Sequence, residues 1–468
     1  MINKMNLFLH HRDLRYHDNT TMIKQQKAEN NITPLFIFDP IQIDPKKNEY
    51  FSSNLVQFMI ESLKEYNQDL KDKNGELYFM YGSTLRILKH IHKNIGINSL
   101  GFNVEYSPFG LKRDEEIKLW CAKNNITIYC EEDILLFNIL DNLTINPNNN
   151  KPFLVYTAFY NHLMKLKPAK IDSFKNFEFK KNNELKSLKY YFNDLDSLYT
   201  YNPNLNVNGG RSNALKILKK INMEKFKEYH LQRDQLTYNT TFLSAYINLN
   251  VVSIREVYEA IIYTFNKNHG LVRELIFRDF YHNIVYRFGH VINRNYYPWM
   301  DKIKWSTNKK YFEAWAYAKT GFPIIDAAMN QLLQTGYMHN RMRMLSASFL
   351  IKNLKINYRE GEKWFAKNLV DYNIYSNWGG WTNIADAAPS GQSYFRIFSP
   401  LAHSLKYDKE CIYIKTWLPE LKDIPNEDIH NWETNYKKYI DNGIKYYPPI
   451  ISFNDTRNEF VSFYKKFM

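Results

Sequence analysis

Between Asp371 and Pro400 the chain reads DYNIYSNWGGWTNIADAAPSGQSYFRIFSP. Its first eleven residues bring together an acid of the kind usually buried with a partner (Asp371), an amide (Asn377), a glycine pair (Gly379-Gly380) and an indole (Trp381). Glycines have no Cβ, so the backbone can pass close to a flat ring, and an indole is readily oxidised. That combination reads as a redox-cofactor pocket. The basic, aromatic Tyr394-Phe395-Arg396 that follows suits a polyanion. The competing reading is an ordinary core turn.

Two further segments carry chemistry on one face. In LVRELIFRDFYHNIVYRFG, Glu274, Phe277, Arg278 and Tyr281 fall at i, i+3, i+4 and i+7, one stripe of a helix. On this segment alone, an amphipathic helix with a Glu–Arg pair on its solvated face is the favoured reading. In TGYMHNRMRMLSASFL, Asn340 and Met344 share a face with Arg343 beside them, while Arg341 points elsewhere. Amide, cation and thioether suit an aromatic ligand with polar edges; His339 by itself reads as a satisfied core histidine. After the first apolar run, LFLHHRDLRYHDN places Arg12, Asp13, Arg15, His17, Asp18 and Asn19 where ligands collect in α/β sheets. An ion-pair cluster tying that loop to the other domain is an equal expectation.

The elements that must position these residues follow from the pattern. Leu7 to Leu9, Pro34 to Phe38, Leu77 to Tyr81, Leu100 to Val104 and Ile126 to Tyr129 are short apolar runs. They alternate with helical stretches at 54–66 and 86–92, which predicts a doubly wound parallel sheet. No GxGxxG follows the first strand, which excludes the standard dinucleotide fingerprint. From about 138 the chain turns to Asn, Lys, Pro and Tyr and reads as a long surface connector. Past Gly209-Gly210, segments 214–221, 254–265, 272–288, 324–335 and 344–354 show 3.6-residue spacing. The expected organisation is an α/β domain over 1–132, a connector over 133–205 and an all-α domain over 206–468.

The 468 residues carry a net charge of +14, which favours a polyanion such as nucleic acid, although Lys- and Asn-rich composition of the kind AT-rich coding produces explains part of it. Cys121, Cys130 and Cys411 have no metal-ligand spacing, and no metal is expected. The longest apolar runs fall short of a membrane span, so a cytoplasmic protein without a membrane partner is expected.

Residues 7–19, 274–281, 321–354 and 371–400, with YFRIFSP…KYDKECIYIKTWLPEL from 394 to 421, resemble the photolyase/cryptochrome family of flavoproteins, closest to class I cyclobutane pyrimidine dimer photolyases. The resemblance runs along essentially the whole chain. It implies light-driven repair of cyclobutane pyrimidine dimers by electron transfer from excited reduced FAD to a flipped-out dimer, in a monomer acting on UV-damaged DNA. A cryptochrome-type blue-light receptor with weak or no repair is the alternative. By the same resemblance Tyr229, Thr240, Thr241, Phe242, Leu243, Ser244, Arg278, Asn340, Arg343, Asp371, Tyr372, Asn373 and Asn377 hold FAD. Glu274, Asn340, Met344 and Asn377 serve the reaction. Arg233, Glu274, Phe277, Arg341, Arg396 and His403 meet DNA, and Trp381, Tyr358 and Trp305 relay electrons. A second antenna chromophore, folate or deazaflavin, is implied without its identity. The chain departs from the family at Phe277 and Asn383, where bacterial members place two Trp rings against the lesion. It departs again at Tyr358, the middle relay position, at Asn373, the second position of a D-x-D motif, and at His403, where many members have Gln.

Overall fold

The apolar runs at the start of the chain assemble as the alternation requires. In the computed structural model, which describes residues 4–221, 226–389 and 396–467, five parallel strands form a sheet in the order β3-β2-β1-β4-β5. They are β1 (Met5–His10), β2 (Ile32–Phe38), β3 (Tyr78–Tyr81), β4 (Ile97–Gly101) and β5 (Thr127–Tyr129). Leu7 lies opposite Thr33 on one side and Leu100 on the other. Every residue of β2 is buried, as a strand covered on both faces must be. The connecting helices are α1 (Thr20–Ala28), α2 (Ser53–Lys71), α3 (Thr84–Asn94) and α4 (Pro108–Lys123). Ser52 and Ser107 cap α2 and α4 by accepting from Leu55 N and Gly110 N.

The weakly patterned stretch from 138 is more ordered than its composition predicts. It contains a two-stranded pair, Ile145–Asn146 with Lys151–Pro152, and helix α5 (Tyr156–Leu163). It then runs along the sheet edge, where Lys180 N donates to Ile32 O and Phe192 N to Phe79 O. Backbone bonds to β2 and β3 order this segment without an apolar repeat of its own.

Of the later helices, α6 (Ile254–Thr264), α7 (Gly270–Arg287), α9 (Pro323–Thr335) and α10 (Asn340–Ser348) fall on the predicted spacing, whereas α8 (Lys309–Ala316), α11 (Tyr358–Asn368), α12 (Ile374–Ile384) and α13 (Pro400–Tyr407) lie outside the segments it marked. A π-helical turn, Phe349–Asn353, continues α10. Contacts divide the chain into two compact units: Met1–Tyr201 with Val207–Lys227 and Thr241–Gly289, and Asn202–Asn206 with Glu228–Thr240 and His290–Met468. Helices α6 and α7 thus pack in the unit that holds the sheet.

A buried ion-pair cluster joins α6 to the loop after β1. Arg15 Nη2 meets Asp133 Oδ2 at 2.6 Å, and Arg255 on α6 meets Asp18 Oδ2 and Asp133 Oδ1, each at 2.8 Å. All four side chains are essentially buried. Burial alone would raise the Asp133 carboxyl, but the two guanidiniums hold it well below the usual carboxylate range. Arg15 and Asp18 of the 10–19 loop therefore stand in a buried ion-pair cluster, but one closed within a single compact unit and not across to another domain. No helix among the described residues is long and apolar enough to cross a membrane.

Candidate functional site

In the second unit, α10 begins at His339, whose Nδ1 caps the helix by accepting from Arg341 N. Burial pushes this imidazole down to about 4, so it stays neutral and keeps its cap. One turn in, Arg343 Nε donates to Met338 O at 2.8 Å, while Nη2 reaches both oxygens of Asp371 at 3.1 and 3.0 Å. Its guanidinium also lies 5.4 Å from the Tyr337 ring centre. Residues 28 positions apart therefore form one charge-assisted unit. Asn373, two residues after Asp371, caps α12 by accepting from Ser376 N at 3.0 Å.

The glycine pair does not make a turn. Gly379 and Gly380 lie inside α12, and a Cβ built on Gly380 meets no atom within 4 Å. Helical spacing continues through both residues. Gly379 is buried and Gly380 exposed, so the pair leaves one open position on the helix, about one turn from Asn377. Asn377 Nδ2 donates to Glu362 O on α11 at 3.0 Å, which fixes the amide while one N–H and the oxygen remain. Glu362 itself is buried, its Oε2 has no hydrogen-bond partner, and burial raises the acid to about 7 against Arg359 and Lys363.

Trp381 is buried and stands edge-on to Phe365 (4.9 Å, 79°) and Trp315 (6.1 Å, 77°). The close approach belongs to Gly361 instead, where an added Cβ would sit 2.1 Å from the Trp381 ring. Tyr358, buried on the same helix, donates to Asn295 Oδ1, and Trp305 is half-buried. A carboxylate-paired guanidinium, a fixed amide and a buried indole are side chains of the kind that suit a flat heteroaromatic ring with N–H and C=O edges.

Comparison with known proteins decides the family. A family model described as DNA photolyase matches residues 6–175, and one described as FAD binding domain of DNA photolyase matches 271–466. The chain is 32% identical to the deoxyribodipyrimidine photo-lyase of Buchnera aphidicola subsp. Acyrthosiphon pisum, over 98% of this chain and 97% of that one. It belongs to the DNA photolyase family. An archaeal photolyase from Sulfolobus tokodaii, solved with two FAD molecules, superposes with a TM-score of 0.85 at 32% identity, covering 98% of this chain and 99% of that one. A Synechocystis cryptochrome at 22% identity, covering 99% of each chain with a TM-score of 0.84, shares the fold.

The other photolyase positions fall as follows. In the second unit Tyr229 and Tyr372 are buried, and Thr240 Oγ1 meets Tyr337 Oη at 3.5 Å. Asn340 is exposed at the start of α10 and Met344 is half-buried. Arg341 pairs with Asp234 at 2.6 Å and lies over Tyr407 at 5.1 Å; its Nη1 also approaches Met344 Sδ at 3.9 Å. Spacing had set Arg341 apart from the Asn340–Met344 face, yet the long side chain reaches back. His403, on α13, shares the Tyr407 ring at 5.5 Å, and Arg396 and Asn383 are exposed. Arg233 is half-buried, and Tyr394 and Phe395 lie outside the described residues.

In the first unit Phe242 takes a left-handed backbone (φ 54°) beside Leu243 N, which donates to Thr241 Oγ1, and Ser244 is exposed. Glu274, Phe277, Arg278 and Tyr281 are all half-buried along α7. Arg278 Nη1 donates to Ile134 O at 3.0 Å. Its neighbour Asp279 accepts from Leu136 N and Phe137 N, and burial lifts that acid to about 7.

Sequence reasoning missed Glu362, Trp315 and Phe365. A signal existed: Tyr358, Glu362 and Phe365 fall at i, i+4 and i+7, which puts a carboxylate on the apolar stripe of α11.

Proposed function

We propose that this protein binds FAD and repairs cyclobutane pyrimidine dimers in DNA under light. The Arg343–Asp371 pair, set beside an amide fixed by Glu362 O, is the observation that carries the reading, because it presents fixed polar edges to a flavin-shaped ring. When bound and reduced, FAD supplies the light-excited electron that splits the dimer.

The chain's own residues do the rest. In the second unit Arg343, neutralised by Asp371, turns its remaining N–H groups toward a carbonyl-bearing ring edge. Asn377 donates without adding negative charge, which favours a reduced, electron-rich ring. Asn340, Asn373, Tyr229, Tyr372 and Thr240 complete this unit's contribution. In the first unit Arg278 and the Thr241 to Ser244 segment offer a guanidinium, hydroxyls and backbone N–H groups to a pyrophosphate. Glu274 hydrogen-bonds the pyrimidine carbonyls and stabilises charge that develops there, Phe277 stacks on the lesion, and Met344 meets its apolar side. Photolyases extrude their lesion from the duplex, and Arg233, Arg341, Arg396 and His403 hold the flanking strand. Trp381, Tyr358 and Trp305 refill the flavin with electrons. The protein acts as a monomer in the cytoplasm. A second chromophore in the α/β unit, a folate or a deazaflavin, serves as antenna.

A blue-light receptor is the second reading, favoured by the exposed Asn383 where a stacking ring is expected. Reduced protein is incubated with oligonucleotides carrying one cyclobutane dimer or one six-four product, in light and dark. Light-dependent loss of the dimer alone supports repair; no loss in either condition favours the receptor.

A further inference from the structure

Helix α5 adds something that packing does not require. Phe159 and Leu163 are fully buried, and Phe159 meets Phe280 of α7 at 5.4 Å, which helps to seat α5 on α7. Tyr156 and Tyr160, at i and i+4, lie on the adjoining stripe and remain half-buried. The Tyr156 ring centre stands 4.2 Å from Phe277 at a tilt of 46°. Its hydroxyl donates to Arg273 O at 2.8 Å, which locks the ring. The exposed Arg273 guanidinium lies 5.4 Å from the Tyr156 ring and 5.2 Å from the Tyr160 ring. Leu154 and Val155 extend the same exposed surface.

We propose that Tyr156 and Arg273 form, with Phe277, an aromatic and cationic lip that stacks on the bases beside the lesion and grips their phosphate. The proposal rests on the repair reading, because Phe277 marks the lesion face. Two rings tilted by 46° present a wedge instead of a closed sandwich, and a splayed base has a π-face that fits against it. A guanidinium already flattened over rings keeps its outward N–H groups for a phosphate. The lip also enlarges the stacking area that Phe277, smaller than Trp, provides.

Fluorescence anisotropy with one duplex carrying a single cyclobutane dimer and an undamaged duplex tests this. Wild type is compared with Tyr156→Ala, Tyr156→Trp, Arg273→Gln and Phe277→Ala, with FAD content and melting temperature followed in each. Tyr156→Ala is expected to weaken damaged-duplex binding about tenfold, and Tyr156→Trp to restore it. Arg273→Gln is expected to lower the slope of log K against log salt by about one. Wild-type affinity in Tyr156→Ala and Arg273→Gln, with Phe277→Ala weakened, overturns the lip and leaves the repair reading standing. A wild type with no preference for the damaged duplex overturns both. Should Tyr156→Ala lose FAD or melt early, Arg273→Gln decides, and an unchanged salt slope rejects the lip.

Discussion

Asn377 Nδ2 donates to the backbone oxygen of Glu362 at 3.0 Å, and the carboxyl of that same glutamate is buried with Oε2 unpartnered. One residue thus orients the amide through its main chain and stores a proton in its side chain. Burial lifts the acid from an ordinary 4.5 to about 7. A carboxyl whose folded value is raised contributes stability that is complete below about pH 4.5 and lost as pH rises through about 7. The loss is of order 3 kcal/mol at most. Glu362→Gln is expected to flatten the fall in melting temperature across that window. Asp279, also lifted to about 7, and Asp326, lifted to about 6, keep a residual slope in both proteins. Parallel profiles for wild type and variant would reject the assignment.

Arg343 donates through Nη2 to both oxygens of Asp371 and through Nε to Met338 O, a spread of donors on a rigid plane that a lysine ammonium cannot span. Arg343→Lys is expected to keep the fold while losing FAD during gel filtration. Asp371→Asn, which leaves the guanidinium uncompensated, is expected to cost about 2–3 kcal/mol in urea unfolding as well. Equal FAD retention in Arg343→Lys and wild type would show that charge alone suffices.

Trp381 is the first electron donor in the proposed relay. Trp381→Phe is expected to abolish bleaching of oxidised FAD under blue light; unchanged bleaching removes Trp381 from the path. Tyr358 donates to an amide oxygen, Asn295 Oδ1, which is no base for the proton a tyrosine loses on oxidation. Tyr358→Trp is therefore expected to speed bleaching several-fold. An unchanged rate would mean that electrons leave Trp381 through other rings, with Trp315 in edge contact the first to replace by Phe.

Glu274 belongs to the repair step more than to the grip. Glu274→Ala is expected to cut repair per photon about tenfold or more, with damaged-duplex affinity changed less than threefold. An equal fall in both quantities would make Glu274 a DNA-positioning residue.

Much of the scaffold was legible because its signals are local. Apolar runs bounded by turns gave the five parallel strands, and 3.6-residue spacing gave the stripe of Glu274, Phe277, Arg278 and Tyr281. The order of residues 138–205 was illegible because backbone bonds to β2 and β3, such as Lys180 N to Ile32 O, leave no side-chain pattern. The glycine pair at 379–380 misled because glycine signals a turn, whereas neighbouring contacts keep it helical. At the site, Asp371 and Arg343 were both assigned to FAD through resemblance; nothing in their spacing predicts a bond across 28 residues. The packing of Trp315 and Phe365 on Trp381 needs the folded chain, since it joins three separate helices.

The buried charge cluster has a consequence for how the chain is made. Asp133 and Asp18 must wait for Arg255, which is added 122 and 237 residues after them. At about 5–20 residues per second, Asp18 waits on the order of 10 to 50 seconds for its partner. The sheet leaves the ribosome first but is completed late, so a nascent chain stopped before Arg255 carries two acids with one of their two guanidiniums missing. The last piece of the sheet's own unit to arrive is α7, the helix that bears Glu274 and Phe277.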